Sequence, residues 1–168
     1  LTGWSLVEIY RVLPAIATIL TIPSFYLLAK DIIDDDNQLA IAVLIFSLSP
    51  VTYNWAIMGG GVTRSIAFFT ALLTLHFLFR LYVEDKPGNL FWVAILTSLT
   101  ILTHPETGFH TAAAVPVFWL YYQRNKKGTI QTLAITALTL VFTAPWWAQV
   151  VGQHGFTPFT SAFLTAGQ

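Results

Sequence analysis

The chain has 168 residues, 55% hydrophobic and only 10% charged, with 8 basic and 8 acidic side chains and no net charge. Soluble domains carry about 25% charged residues, so a mean hydropathy of +0.67 points to a polytopic membrane protein rather than a soluble helical core. The absence of cysteine removes disulfides and thiolate metal sites, and the balanced charge offers no surface for nucleic acid.

The first residues include WSLVEIYR, apolar positions mixed with Glu8 and Arg11, which reads as an interfacial helix leading into the first span. No charged leader or cleavage site precedes the first apolar run. The sequence is therefore expected to be a piece of a longer chain, with residues 1–168 forming one transmembrane domain. Spans are expected at Tyr10–Ala29, Leu39–Trp55, Ser65–Val83, Asn89–Thr103, Thr111–Tyr122 and Thr129–Val151, an all-α transmembrane bundle of six helices. The fourth and fifth are short against the ~20 residues that cross a hydrocarbon core. Their polar ends should extend the helices or line a protein-walled cavity.

Basic residues set the orientation. Lys30, Arg80, Lys86, Arg124, Lys126 and Lys127 fall in one set of loops, and only Arg11 and Arg64 in the other. The positive-inside rule puts the first set in the cytoplasm. GGGVTR, THPETGFH and WWAQVVGQHGFTPF should then share the extracytoplasmic face, with every histidine except His76. The acidic run DIIDDDNQ should be a solvated cytoplasmic loop. His76, in mid-span, reads as a packed residue or an interhelical hydrogen-bond donor.

The polar groups on the outer face are the candidates for chemistry. The triple glycine Gly59–Gly61 is expected to end the second span and allow close backbone approach. Arg64 follows at the start of a helix, where the macrodipole disfavours a cation, so an anionic partner is indicated. Its planar fork suits phosphate or carboxylate, and snorkelling to headgroups is the plainer alternative. Pro105 should stop the fourth helix at His104, and proline and Glu106 both suit the first turn of a new helix. His110, four residues after Glu106, shares its helical face. Ionisable groups at the membrane are functional candidates by default. A helix cap with two interfacial histidines is the plain alternative. A divalent metal held by His104, Glu106 and His110 is another, though their spacing matches no known ligand pattern. Tyr53, Trp55, Trp146 and Trp147 fit an interfacial aromatic belt, with sugar stacking as the functional alternative. No GxGxxG, P-loop, HExxH or nucleophile elbow is present.

The order of these segments over residues 10–122, with SP, TRS and LTHPE as its sharpest points, resembles the polytopic GT-C glycosyltransferases of prokaryotes. The likeness is to the protein O-mannosyltransferase and aminoarabinose-transferase type. It implies transfer of a sugar from a polyprenyl-phosphate carrier in the bilayer of a prokaryotic plasma membrane to an extracytoplasmic lipid, glycan or protein. It also implies a catalytic Asp or Glu in the first extracytoplasmic loop, which would lie upstream of Leu1. Glu8 is the one carboxylate near that place, and no residue is assigned as base. The soluble domain carried by many relatives is missing from the sequence. Within the resemblance, Arg64 is the phosphate clamp and His104 a donor to phosphate or a sugar hydroxyl. Glu106 orients one of these or holds a hydroxyl, and His110 and Tyr53 are further substrate contacts. A transporter or flippase, or a non-catalytic subunit of a membrane assembly, is the competing class.

Overall fold

Side-chain caps mark where four of the described helices begin. The computed structural model describes residue 3 and residues 5–50, 53–54 and 61–165, without the side chains of 162–165. Helix α1, Leu6–Lys30, opens on a capping box: Ser5 Oγ accepts from the Glu8 N–H, and Glu8 Oε2 accepts from the Ser5 N–H at 2.7 Å. Residues 6–11 are thus the first turns of the same continuous helix that forms the span, not a separate interfacial one. Pro14 and Pro23 lie inside α1.

Asp35 caps α2, Asp36–Leu48, by accepting from the Gln38 N–H at 2.8 Å. One member of the acidic run is therefore a helix cap, while Asp34, Asp35 and Asp36 remain exposed. α2 stops seven residues before the Trp55 boundary expected from hydropathy, because Ser49 precedes Pro50 and takes an extended conformation. Tyr53 and Asn54 are helical again. Trp55, Gly59 and Gly60 lie outside the described residues, and Gly61 opens α3, Gly61–Tyr82.

α4 covers Asn89–Thr103, the limits expected from the sequence. α5, Pro105–Tyr122, begins six residues before the expected Thr111, since His104 and Pro105 supply a cap and a first helical residue. α6, Lys126–His154, is capped by Asn125 and contains Pro145. Gly155, at φ +65°, turns the chain into α7, Thr157–Thr165, a helix not anticipated from hydropathy. The Trp146 and Phe159 rings meet edge to face at 5.8 Å and dock α7 on α6.

α3 is the central helix, packed against α1, α4 and α5, while α4 also meets α5 and α6. α2 leans mainly on α1. α1, α3 and α6 have 25, 22 and 29 residues and are long and apolar enough to cross a membrane. α2 and α4 are shorter apolar helices of 13 and 15 residues. Ile19, Ile45, Leu133 and Val141 are each more than 60% exposed, the arrangement of a bundle whose solvent is hydrocarbon. The chain is an all-α integral membrane protein.

The interior changes character along its length. Towards one end, Leu78, Leu81, Tyr82, Val93, Val115 and Ile135 form the buried apolar cluster. Towards the other, the buried positions are small or hydroxylated: Ser65, Ala67, Thr70, Thr97, Thr100 and Thr143. Such side chains let helices approach closely in lipid. Thr70 Oγ1 and Thr100 Oγ1 share a hydrogen bond of 2.8 Å across the α3–α4 seam.

Beyond the apolar cluster the loops are tied by charge. Asp85 Oδ1 accepts from Gln123 Nε2 at 3.2 Å and pairs with Lys127, joining the α3–α4 loop to the α5–α6 turn. Asp31, just past α1, pairs with His76 of α3, their side chains only 13% and 5% exposed. His76 is the interhelical partner expected of it, with a carboxylate facing it.

Candidate functional site

At the opposite end, the helix starts converge. Arg64 lies in the first turn of α3, partly buried. His104 is at once the last cap of α4 and the first cap of α5, with φ −149° and ψ 97°. Its N–H closes α4 on Thr100 O at 2.9 Å. The extended conformation is the one favoured before Pro105, whose ring disfavours a helical residue in front of it.

The imidazole is held between two helices. Nδ1 lies 2.9 Å from Thr107 Oγ1 and 3.3 Å from the Thr107 backbone nitrogen, which donates to it. On the other side of the ring, Arg64 Nε–H donates to Nε2 at 3.4 Å. The contact spans forty positions of sequence and binds the start of α3 to the α4–α5 corner. Gly108 keeps that corner tight, because a Cβ there would collide with the Ile101 backbone of α4. The Thr70–Thr100 hydrogen bond braces the same two helices farther into the bundle.

The electrostatics follow from this geometry. α3 and α5 both point their N-termini at the corner, so two partial positive charges add to the Arg64 guanidinium. A cation seated on helix N-termini is unfavourable alone and favourable once an anion joins it. Glu106, in the first turn of α5, offsets a portion of this field.

Of the other residues singled out in the sequence, Glu106 and His110 are exposed on α5. Neither shows a hydrogen bond or ion pair with Arg64 or His104; the His110 ring packs edge to face with Phe109 at 6.4 Å. Thr107, not Glu106, holds the His104 ring. Among the described residues no group of three His, Asp or Glu side chains could hold a metal ion, so His104, Glu106 and His110 are not gathered as ligands.

Tyr53 sits over an aromatic cluster, its ring 6.5 Å from Phe46, which stacks on Phe25 at 4.1 Å and lies 6.2 Å from Phe68. Its buried hydroxyl has no hydrogen-bond partner among the described residues. Trp147 donates its indole N–H to Leu140 O at 3.0 Å, within the turn that Pro145 loosens. An open groove of about 450 Å³ between α1 and α2, lined by Tyr26, Leu39, Val43 and Leu44, includes none of the polar corner.

Sequence reading alone overlooked Thr107. Its only signal is position, three residues beyond a histidine that serves as a helix cap. A family model described as dolichyl-phosphate-mannose-protein mannosyltransferase matches residues 3–148. No curated protein and no solved structure matches the chain.

Proposed function

Because the chain belongs to the dolichyl-phosphate-mannose-protein mannosyltransferase family and is a GT-C-like membrane glycosyltransferase, we propose that it moves a sugar from a polyprenyl-phosphate-linked donor to an acceptor on the extracytoplasmic side. The observation that carries this reading is the Arg64–His104 contact at the meeting point of two helix N-termini. Breaking a sugar–phosphate bond leaves negative charge on the departing phosphate, and preorganised donors aimed at that charge lower the barrier. Arg64 supplies a permanent cation with a planar fork, and His104 a second nitrogen on the same spot.

The position of the corner suits a substrate that is half lipid. The glycosyl phosphate would lie at the membrane boundary while its polyprenyl chain stays in hydrocarbon beside the bundle. Transfer also needs a carboxylate to accept the proton of the attacking hydroxyl. Glu8 is not assigned as that base: its Oε2 accepts from the N–H and the hydroxyl of Ser5 as part of a helix cap. Glu106 and His110 are exposed on α5, and in this reading they would meet sugar or acceptor hydroxyls. The buried hydroxyl of Tyr53 would become a further contact only where substrate reaches it.

Arg64→Ala and His104→Ala in the complete protein should each lower transfer from a labelled polyprenyl-phosphate sugar by about 10²–10³, the range for losing one preorganised donor. Membrane insertion should be unchanged. Normal turnover by both variants would remove the assignment, and flux of the lipid-linked sugar across vesicles without covalent transfer would replace it with a transporter.

A further inference from the structure

The two contacts of the His104 ring make incompatible demands. Arg64 Nε–H requires a lone pair on Nε2, and the Thr107 backbone N–H requires one on Nδ1. A neutral imidazole has a single lone pair in the ring plane, because its other nitrogen carries hydrogen. One donor must therefore go unanswered, unless something else at the corner changes.

The Thr107 hydroxyl resolves the conflict, since it can accept or donate at 2.9 Å from Nδ1. With the proton on Nδ1, the ring donates to Thr107 Oγ1, and Nε2 accepts from Arg64. With the proton on Nε2, Nδ1 accepts from the Thr107 N–H and from the hydroxyl turned about its Cβ–Oγ bond. The ring then presents a second N–H beside Arg64 Nε–H, two donors facing the same space. Such a face repels itself when empty and is satisfied by an oxyanion that accepts from both.

We propose that Thr107 is the positioning residue that sets which nitrogen of His104 carries the proton, and so whether the ring pairs with Arg64 or joins it as a second donor to a phosphate oxyanion. The anion-binding half of this rests on the functional reading above; the proton assignment does not. The exchange is neutral: the ring releases a proton from Nδ1 to water and takes one from water at Nε2. Thr107 touches no substrate and works through the imidazole alone. Its hydroxyl serves either state, accepting in the closed pair and donating in the receptive one, while its backbone N–H favours the receptive one.

The consequence runs against ordinary expectation for a lost hydrogen bond. Thr107→Val leaves Nδ1–H of the closed pair with no acceptor, whereas in the receptive tautomer Nδ1 loses one of two donors and keeps the backbone N–H. The variant should therefore bind phosphate more tightly, by about fivefold, the factor that one neutral hydrogen bond is worth. Thr107→Ser should behave as the wild type.

The test uses the complete protein in lipid nanodiscs with ¹⁵N-labelled histidine, four rings in this chain, and the His104→Asn variant to assign the signal. Without ligand, the wild type and Thr107→Ser should show hydrogen on Nδ1, and Thr107→Val on Nε2. Titration with inorganic phosphate should move the wild-type proton to Nε2 and half-saturate Thr107→Val at about one fifth of the wild-type concentration. The same tautomer in ligand-free wild type and Thr107→Val, with the His104 signal intact, overturns the role of Thr107. If the proton moves in the variant but phosphate leaves the wild-type ring unchanged, the anion reading fails and the proton assignment holds.

Discussion

His104 shows how much one residue can do at a helix corner. It terminates α4 through its N–H, starts α5 through Nδ1 and offers Nε2 to Arg64. These tasks separate by substitution. Asparagine is a strong N-cap and can accept from the Thr107 N–H, but it has no atom in the place of Nε2. His104→Asn should keep the thermal stability of the wild type and lose transfer, whereas His104→Ala should lose about 1 kcal/mol of stability as well. Melting curves and turnover on the same preparations distinguish the two. At the other end, Asp85 is held below the usual carboxylate range first by the Lys127 ammonium and then by the Gln123 amide. A carboxyl depressed on folding stabilises fully above its unfolded value, near 3.8, and ceases to do so as pH falls through its lower folded value. Asp85→Asn should therefore melt below the wild type at neutral pH, and the gap should close as the pH is lowered past 3.8. Pro105, Arg64 and His104 could be singled out from the sequence because each breaks a rule of helices or of membranes. Thr107 breaks none. It is one of many hydroxylated residues in apolar runs, and only the meeting of α3 with the α4–α5 corner makes its place informative.

The helices obey two kinds of instruction, one local and one tertiary. α4 was legible to the residue, since Pro105 fixes its end and the apolar run its body. Hydropathy alone starts α5 at Thr111, because it falls across PETGFH, whereas a proline at the first position and an acidic residue in the first turn point to the start at Pro105 that the structure has. α2 was read too long for the converse reason, since apolarity continues past the Ser49–Pro50 break. α7 is nine residues, too short to register as a span. What no local rule supplies is the distance between helices. Gly108 sets it at the corner, and Gly108→Ala should cost about 1–3 kcal/mol by forcing Ile101 away, with transfer falling as His104 shifts. Thr100→Val is the milder companion. It removes one interhelical hydrogen bond while Thr70 still donates to Ile66 O, and thermal unfolding should register only about 0.6 kcal/mol.

For the whole molecule, charge and hydropathy predict six passes in alternation, and the structure adds which helix ends lie together. Arg64 meets His104 at one end, and Asp85 meets Lys127 at the other, so α3, α4, α5 and α6 run in alternating directions. Single cysteines at 64 and 104 should react with impermeant reagent from the same side of intact cells, and one at 127 only after permeabilisation. Labelling of 64 and 104 from opposite sides would end the functional proposal with the topology. The two halves of the interior also differ in what holds them. Leucine, valine and isoleucine, backed by the Asp85–Lys127 tie, close one end, while small side chains and hydroxyls close the other. A bundle built in this manner resembles tweezers, with its fulcrum at the leucine-rich end and its jaws at Arg64 and His104. Local opening is therefore expected at the tips before the far end, and amide exchange faster at residues 64–67 than at 78–82 would show it.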